Sequence, residues 1–157
     1  MNTPTTHTQD SSLKALAAEI RTWAQELGFD AVGITDFQLD EDVTRLQDWL
    51  ADGRHGTMDY MARHADLRAQ PASLQPGALR SISVRMNYLT EDRAAMQSCL
   101  ENPDRAYVSR YALGRDYHKL MRNRLQKLAD RIAEETGPFG YRAFVDSAPV
   151  LERALAR

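Results

Sequence analysis

The spacing of hydrophobic residues alternates along the chain between helical and strand-like periods. Helical spacing over residues 11–28 predicts an amphipathic helix that ends at Gly28. The apolar run FDAVGIT (29–35) follows and is typical of a buried strand. A second helical pattern then predicts a helix that stops at Gly53.

An irregular region separates these elements from the next periodic segments. Residues 55–77 contain aromatic, Met and basic side chains and two prolines but no period, which predicts a short helix and a structured loop. The segment LRSISVRMNYL (79–89) alternates apolar and polar residues, so it predicts a strand whose polar face lines a cleft or meets solvent. The second half of residues 106–137 has the spacing of a long helix that ends near Gly137. Its predicted core side carries Leu120, Met121, Leu125, Leu128, Ala129 and Ile132.

The last segment predicts one more strand and the start of a helix. YRAFVD (141–146) is the strand, and Pro149 suits the first turn of the helix after it. Helices and strands in this order predict an α/β fold. The final helix would stop at its second turn, which is too short for stability by itself. We therefore expect the chain to be a fragment of a longer domain.

Length and composition indicate the size of the domain and the compartment of the protein. The chain has 157 residues, 43% of them hydrophobic, and a net charge of −2, which is typical of one globular domain. Residues 1–10 are polar and are expected to be a disordered leader, with residues 11–157 forming the folded domain. No apolar run approaches the roughly 20 residues that cross a bilayer, and no secretory signal is visible. A cytoplasmic protein is expected.

The residues that commonly bind metals are sparse. The single cysteine, Cys99, excludes an internal disulfide and any metal site built from several thiolates of this chain. The four histidines lack metal-ligand spacing, so no metal site is predicted. The glycine-rich nucleotide-binding signatures and the HExxH and GxSxG patterns are also absent from the sequence.

Positive charge is concentrated between residues 105 and 127. Seven basic residues share this stretch with a single acid, Asp116, which gives a local charge of +6. The basic residues are Arg105, Arg110, Arg115, Lys119, Arg122, Arg124 and Lys127. Tyrosines lie among them, and cations interleaved with aromatic rings suit phosphate and base contacts with RNA or with a phosphate-bearing cofactor. A solvated helix face explains the same pattern and remains the alternative.

Asp146, in FVDSAPVLER, has two interpretations. It lies between a predicted strand and a predicted helix, where Asp and Ser are both favoured as helix N-caps. A carboxyl group desolvated by Phe144 and Val145 could instead hold a proton near neutrality and act as a general acid. Ligand sites in α/β folds also lie at the carboxyl ends of strands. Local chemistry favours the cap.

Four long segments of the sequence are distinctive: HGTMDYMARHADLRAQP, RSISVRMNYL, YVSRYALGRDYHKLMRNRLQKL and FVDSAPVLER. In this order they resemble segments of bacterial epoxyqueuosine reductases, and the resemblance extends from about residue 13 to the end of the chain. The resemblance implies an oxidoreductase of queuosine biosynthesis that uses cobalamin and two [4Fe–4S] clusters to reduce epoxyqueuosine to queuosine at the tRNA wobble position. It also implies a corrinoid-binding α+β sandwich, similar to nitroreductases and cobalamin-processing proteins and incomplete at its C-terminus.

The resemblance also assigns site residues. Asp146 matches the proton donor that lies over the cobalamin face and protonates the epoxide oxygen. Arg68, in DLRAQP, matches a corrinoid contact, and Ser109 stands where some members have a cysteine near the cofactor. Arg110 and Tyr117 share the motif of Ser109 and are expected to contact the cofactor too. The basic stretch 105–127 is the expected contact with tRNA.

The chain also departs from the family pattern. The cysteine-rich segments that bind the [4Fe–4S] clusters are missing, and one cysteine cannot ligate such a cluster. We therefore expect a truncated gene product or half of a split protein, inactive by itself. Two alternatives are a non-catalytic module that binds a corrinoid or tRNA and a remnant that self-associates through its exposed apolar surface.

Overall fold

The structure of the chain, a computed structural model, combines helices with a small antiparallel sheet. It describes residues 5–89 and 91–157, and the side chains from residue 11 onward. The helices are α1 (Thr5–Glu26), α2 (Asp40–Ala51), α3 (Asp59–Arg63), α4 (Ala65–Ala69), α5 (Arg93–Glu101), α6 (Tyr117–Thr136) and α7 (Glu152–Leu155). The strands are β1 (Ala31–Thr35) and β2 (Ser81–Arg85), and 3₁₀ turns span Pro71–Leu74 and Arg110–Ala112.

The hydrophobic core lies between one face of the sheet and the two long helices. β1 and β2 pair in antiparallel register, with Val32 opposite Val84 and Ile34 opposite Ile82. These four side chains point to the same face because side chains alternate along a strand. The buried residues that they pack against come from α1, α6 and the start of the first loop: Ile20, Ala24, Phe29, Leu128 and Ile132.

The other face of the sheet is covered by α7. Leu155 is buried, and its carbonyl accepts hydrogen bonds from the hydroxyls of Thr35, at 3.0 Å, and Ser83, at 3.2 Å. The polar face predicted for the second strand therefore meets a helix end. The described residues form a mixed α/β arrangement with helices on both faces of a two-stranded sheet.

Gly28 is needed where α1 turns into β1. Its φ of +83° favours glycine, and a Cβ at this position would lie 2.8 Å from Nη1 of Arg124. That guanidinium donates to the Gly28 carbonyl at 3.0 Å, which ties the turn to α6. The predicted helix end at Gly28 is confirmed, and so is the end of α6, where Gly137 has a φ of +85°.

Helix α1 begins earlier than the sequence predicts. Its backbone is helical from Thr5, so six residues of the expected leader, 5–10, belong to the helix. The rest of that leader, residues 1–4, lies outside the described residues. The strand predicted over 29–35 is confirmed as β1, which begins two residues later, at Ala31. The second helix, predicted to open at Asp40 or Asp42, begins at Asp40.

The predicted strand over residues 141–146 is wrong. This segment forms no strand, because the described chain offers its backbone no neighbouring strand to pair with. It lies instead across a cavity from β2, and both segments line that cavity.

Two smaller expectations also fail. Pro149 does not open the last helix, which begins three residues later at Glu152. Leu120, predicted to face the core, is 43% exposed and is not among the residues that pack against the core. Leu128, Ala129 and Ile132 are buried as expected.

Candidate active site

Asp146 lies at the apex of a tight turn. The N–H of Ser147 donates to the Val145 carbonyl at 2.8 Å, which closes a three-residue turn around Asp146. Asp146 has a φ of +59°, in the left-handed region that Asp tolerates better than most side chains. Val145 is buried, so it anchors the turn, while half of the Asp146 side chain remains exposed.

The structure corrects two expectations about Asp146. Its side chain is 50% exposed, so the desolvation expected from its apolar neighbours is not observed. It caps no helix, since α7 begins six residues later with Leu151 at its N-cap position. The local interpretation that the sequence favoured, a helix cap, is therefore wrong.

The N-terminus of α6 brings a second carboxylate close to this turn. Asp116 is the N-cap of α6, and its Oδ1 accepts from the backbone N–H of His118 at 3.0 Å. The same oxygen lies 3.0 Å from Nδ1 of the His118 ring. These hydrogen bonds, that of the ring first, lower the pKa of Asp116 below its ordinary value of 3.8.

The two segments meet at Asp146. The Tyr117 hydroxyl donates to Oδ2 of Asp146, and Nε2 of His118 lies 3.3 Å from the same oxygen. We call Asp116, Tyr117, His118 and Asp146 the Asp–His–Tyr cluster. His118 bridges the two carboxylates through its two ring nitrogens, and only the protonated imidazolium can donate from both. The cluster can therefore hold a proton between two acceptors.

Tyr117 is held as a hydrogen-bond donor. Its hydrogen bond to Asp146, then burial and the negative charge of Asp146, raise the pKa of Tyr117 to about 12. The phenol thus keeps its proton at neutral pH. Its ring stacks on His118 with centroids 4.1 Å apart, and the Tyr111 ring packs edge-on at 6.0 Å.

A small cavity lies beside the cluster. It has a volume of about 300 Å³. Its lining residues are Tyr111, Ala112, Gly114, Arg115, Asp116 and Tyr117. Two cluster members therefore border a space that could admit part of a ligand, and Arg115 adds a positive charge to its wall.

Ser109 and Arg110 precede this cavity in the chain. Ser109 leads into the second 3₁₀ turn, and its exposed side chain makes no capping hydrogen bond there. Arg110 is only 10% exposed, and its guanidinium lies 4.7 Å above the Tyr107 ring. Nη2 of Arg110 is 2.9 Å from a Glu91 oxygen, at ion-pair distance but without hydrogen-bond geometry. Nε of Arg110 is buried and has no hydrogen-bond partner among the described residues.

Arg68 is placed apart from the cluster. Its side chain is buried, with the residue 8% exposed, and Nη1 donates to the carbonyls of Tyr60 and Met61 at 3.5 Å. None of the described contacts joins Arg68 to the cluster. The structure therefore brings Tyr117 and Asp146 together and leaves Arg68, a residue of α4, hydrogen-bonded to α3.

The basic stretch divides into internal and exposed charges. Arg124 is bonded to the Gly28 carbonyl, and Arg110 is paired with Glu91. The exposed members are Arg105, Arg115, Lys119, Arg122 and Lys127. The cationic surface is therefore smaller than the sequence suggests, and it surrounds the N-terminal half of α6.

Sequence reasoning missed Asp116 and His118 as members of the site. Their signal is the tripeptide Asp-Tyr-His at a helix start, where a capping Asp commonly accepts from the N–H two residues on. The link from His118 to Asp146 spans 28 residues and has no sequence signature.

Asp, His and Tyr side chains within hydrogen-bond reach of one another can take part in general acid–base catalysis. The family model for epoxyqueuosine reductase QueG, DUF1730, matches residues 68–147, about half of the chain, and this chain belongs to that family. The matched region contains the whole Asp–His–Tyr cluster.

Curated relatives agree with this assignment. An epoxyqueuosine reductase of Pseudomonas aeruginosa is 61% identical over 90% of this chain and 39% of its own length. One from Xanthomonas campestris is 62% identical over 90% of this chain and 40% of its own. One from Escherichia coli K12 is 58% identical over 92% of this chain and 38% of its own length. The chain thus spans about two fifths of the length of these relatives. No solved structure matches the chain.

Two absences hold for the part of the chain that the structure describes. No helix there has the length and apolar character needed to cross a membrane. No three His, Cys, Asp or Glu side chains of that part are grouped as metal ligands would be.

Proposed function

We propose that this chain is the portion of an epoxyqueuosine reductase that binds cobalamin and presents the acid, Asp146, to the epoxide of the tRNA nucleoside. The observation that carries the proposal is the Asp–His–Tyr cluster within the matched region. Reductive removal of an epoxide oxygen leaves charge on that oxygen, and a nearby acid lowers the barrier by neutralising it.

Each member of the cluster has a role in this chemistry. Asp146, at the outward tip of its turn, gives a proton to the epoxide oxygen. His118 lies 3.3 Å behind it and replaces that proton, while Asp116 stabilises the imidazolium from the other side at 3.0 Å. Tyr117 donates to Asp146 and fixes the direction of its carboxylate.

The residues near the cluster fit one edge of a corrinoid. The buried Nε of Arg110 has no partner among the described residues, and a corrinoid offers amide carbonyls and a phosphate to such a donor. Tyr117 borders the 300 Å³ cavity, and Ser109 is exposed next to Arg110. When bound, cobalamin would supply a reduced cobalt centre that delivers electrons to the substrate.

Arg68 and the [4Fe–4S] clusters are less directly supported by the described residues. Arg68 is included as a corrinoid contact because its hydrogen bonds, at 3.5 Å, are at the limit of useful length and leave donors available. The [4Fe–4S] clusters do not fit this chain, which has one cysteine; we assign them to the remaining length of the relatives. A nitroreductase-like sandwich and a cytoplasmic location complete the proposal.

The exposed basic residues around α6 support a contact with tRNA. Arg115, Lys119 and Arg122 are exposed beside the cluster and could neutralise phosphates near the bound nucleoside. They also favour a second candidate function, a tRNA-binding module without catalysis.

The experiment uses a chimera in which this chain replaces the matching part of the Pseudomonas aeruginosa relative. Asp146→Asn should reduce conversion of epoxyqueuosine in tRNA at least about 100-fold, as expected for loss of a general acid. Cobalamin absorbance and tRNA affinity should be retained. Glu134→Gln, an exposed carboxylate of α6, is the matched control and should leave the rate unchanged. Full activity of Asp146→Asn would show that Asp146 is not the acid.

A further inference from the structure

A slot runs along the outer edge of β2. It has a volume of about 570 Å³ and reaches from β2 to the segment 139–146. Met121, Leu125 and Leu128 of α6 form its wall on one face of the sheet. Val150 and Leu155 form the wall on the other face. The slot therefore continues the plane of the sheet between two helical layers.

The edge of β2 that borders the slot is paired with no strand of the described residues. β1 covers the opposite edge, and the described residues provide no second strand to β2. An uncovered strand edge exposes N–H and C=O groups that readily pair with another strand. Strands pair about 4.7–4.9 Å apart, so a neighbour of β2 would occupy the slot.

The far wall of the slot has the sequence of a strand but not the structure of one. YRAFVD (141–146) has a strand-like pattern, yet it is unpaired and shares the slot with β2. A strand inserted into the slot would have β2 on one side and this segment on the other. The mismatch between pattern and structure at 141–146 thus indicates that its partner is absent.

The mouth of the slot is apolar and exposed. Leu79 is 76% exposed, Phe139 41% and Tyr141 39%. Side chains that alternate along an inserted strand would cover Leu79 and the walls of both helical layers. The occupant that suits the slot is therefore an extended segment with apolar residues on both faces.

We infer that the slot receives a β-strand from the part of an epoxyqueuosine reductase that lies outside the region matched by this chain. The relatives named above have about three fifths of their length outside it, which is ample to supply a strand. The inserted strand extends the sheet from β2 toward residues 141–145, which precede the turn at Asp146. This inference rests on family membership, whereas the proposed activity could fail without affecting it.

Hydrogen exchange of backbone amides tests the inserted strand. The chimera described above is compared with the chain of 157 residues alone. Amides of residues 81–85 and 141–145 should exchange about 100-fold more slowly in the chimera, because a new strand occupies their free hydrogen-bonding groups. Amides of α5, which does not line the slot, should change much less. Equal exchange of 81–85 and 141–145 in the two proteins would overturn the inference.

A matched pair of variants separates insertion from general stabilisation. Leu79→Asp places a charge at the exposed mouth of the slot, where the chain alone needs no apolar side chain. In the chimera it should raise exchange at 141–145 about tenfold. Leu100→Asp, at a residue 57% exposed on α5, should have no such effect. The same response to both variants would count against a strand in the slot.

Two other occupants of the slot would give different hydrogen-exchange results. A second copy of this chain would make exchange of 81–85 in the chain alone slow down with rising protein concentration, together with dimer formation in sedimentation. Cobalamin in the slot would slow exchange of 81–85 in the chain alone when cobalamin is added. Either result would show that the slot has a different occupant. Slow exchange confined to the chimera would instead support the inserted strand.

Discussion

The helix–sheet core and the Asp–His–Tyr cluster are held together in different ways. In the core, Ala24 is fully buried and Phe29 is 2% exposed, so burial of apolar surface supplies the stability. In the cluster, the side chains of Asp116, His118 and Asp146 are 49%, 45% and 50% exposed. Hydrogen bonds in contact with solvent stabilise little. Stability and candidate chemistry therefore occupy separate parts of the molecule.

The largest effect on stability is expected at Phe29. Phe29→Ala removes a buried ring from the core and should lower the free energy of unfolding by about 3–5 kcal/mol. Phe29 makes none of the contacts described for the Asp–His–Tyr cluster, so the Tyr117 titration should persist wherever the variant stays folded. Urea unfolding measures the loss. Phe139→Ala, at a ring 41% exposed, is the control and should lower the free energy of unfolding far less. Equal losses for the two variants would contradict the conclusion that stability comes from the buried core.

A smaller effect is expected where α1 meets β1. Gly28→Ala forces a left-handed backbone on a residue with a Cβ, which costs about 1–2 kcal/mol, and it crowds the Arg124 guanidinium 2.8 Å away. Gly33→Ala is a matched control because a Cβ there meets nothing within 4 Å. Thermal unfolding should show a clear loss for the first variant only. A similar melting temperature for both would show that the turn is adaptable.

The difference between the helix–sheet core and the Asp–His–Tyr cluster also determines which features the sequence could predict. The core follows from local patterns: the helical period predicted a long helix in the second half of 106–137 that ends near Gly137, and FDAVGIT predicted β1. These elements depend on burial of their own apolar faces, which sequence records directly. Leu120 is the exception, because its helical spacing places it with the core residues although it is 43% exposed.

The site could be predicted only in part. Family resemblance pointed to Asp146 and Tyr117, and the structure joins them by a hydrogen bond. Asp116 and His118 were missed because their importance comes from a contact between distant segments. The strand pattern at 141–146 was misleading for a related reason: a strand needs a partner, and pattern alone does not supply one.

Acid should weaken the cluster before it weakens the core. The pKa of Asp116 is lowered, so its ionised form contributes stability above pH 3.8 that is lost as pH falls through its folded value. Asp116→Asn keeps a good N-cap residue but removes the charge. It should lower the melting temperature slightly at neutral pH, and the difference from wild type should vanish in strong acid. His118→Gln removes the main cause of the lowered pKa and should behave likewise. A difference that is constant with pH would contradict the Asp116–His118 contact.

The smallest effect concerns alkaline pH and isolates the bond between Tyr117 and Asp146. The pKa of Tyr117 is raised to about 12 from 10.0, so the bond's stabilisation is complete below pH 10 and is lost as pH rises through about 12. The chain has six tyrosines, and tyrosinate absorbance recorded just after a pH jump, before unfolding, should show one that ionises last. Tyr117→Phe should remove that last step without changing the others.

Asp146→Asn should move the same step toward pH 10, because it removes the carboxylate that the phenol donates to. This shift would locate the bond in solution without any cofactor or substrate. If the last step survived in Tyr117→Phe, the two segments would not meet as described, and the carboxylate of Asp146 would lack its support. The core would be unaffected by that result, since none of its buried residues belongs to the cluster.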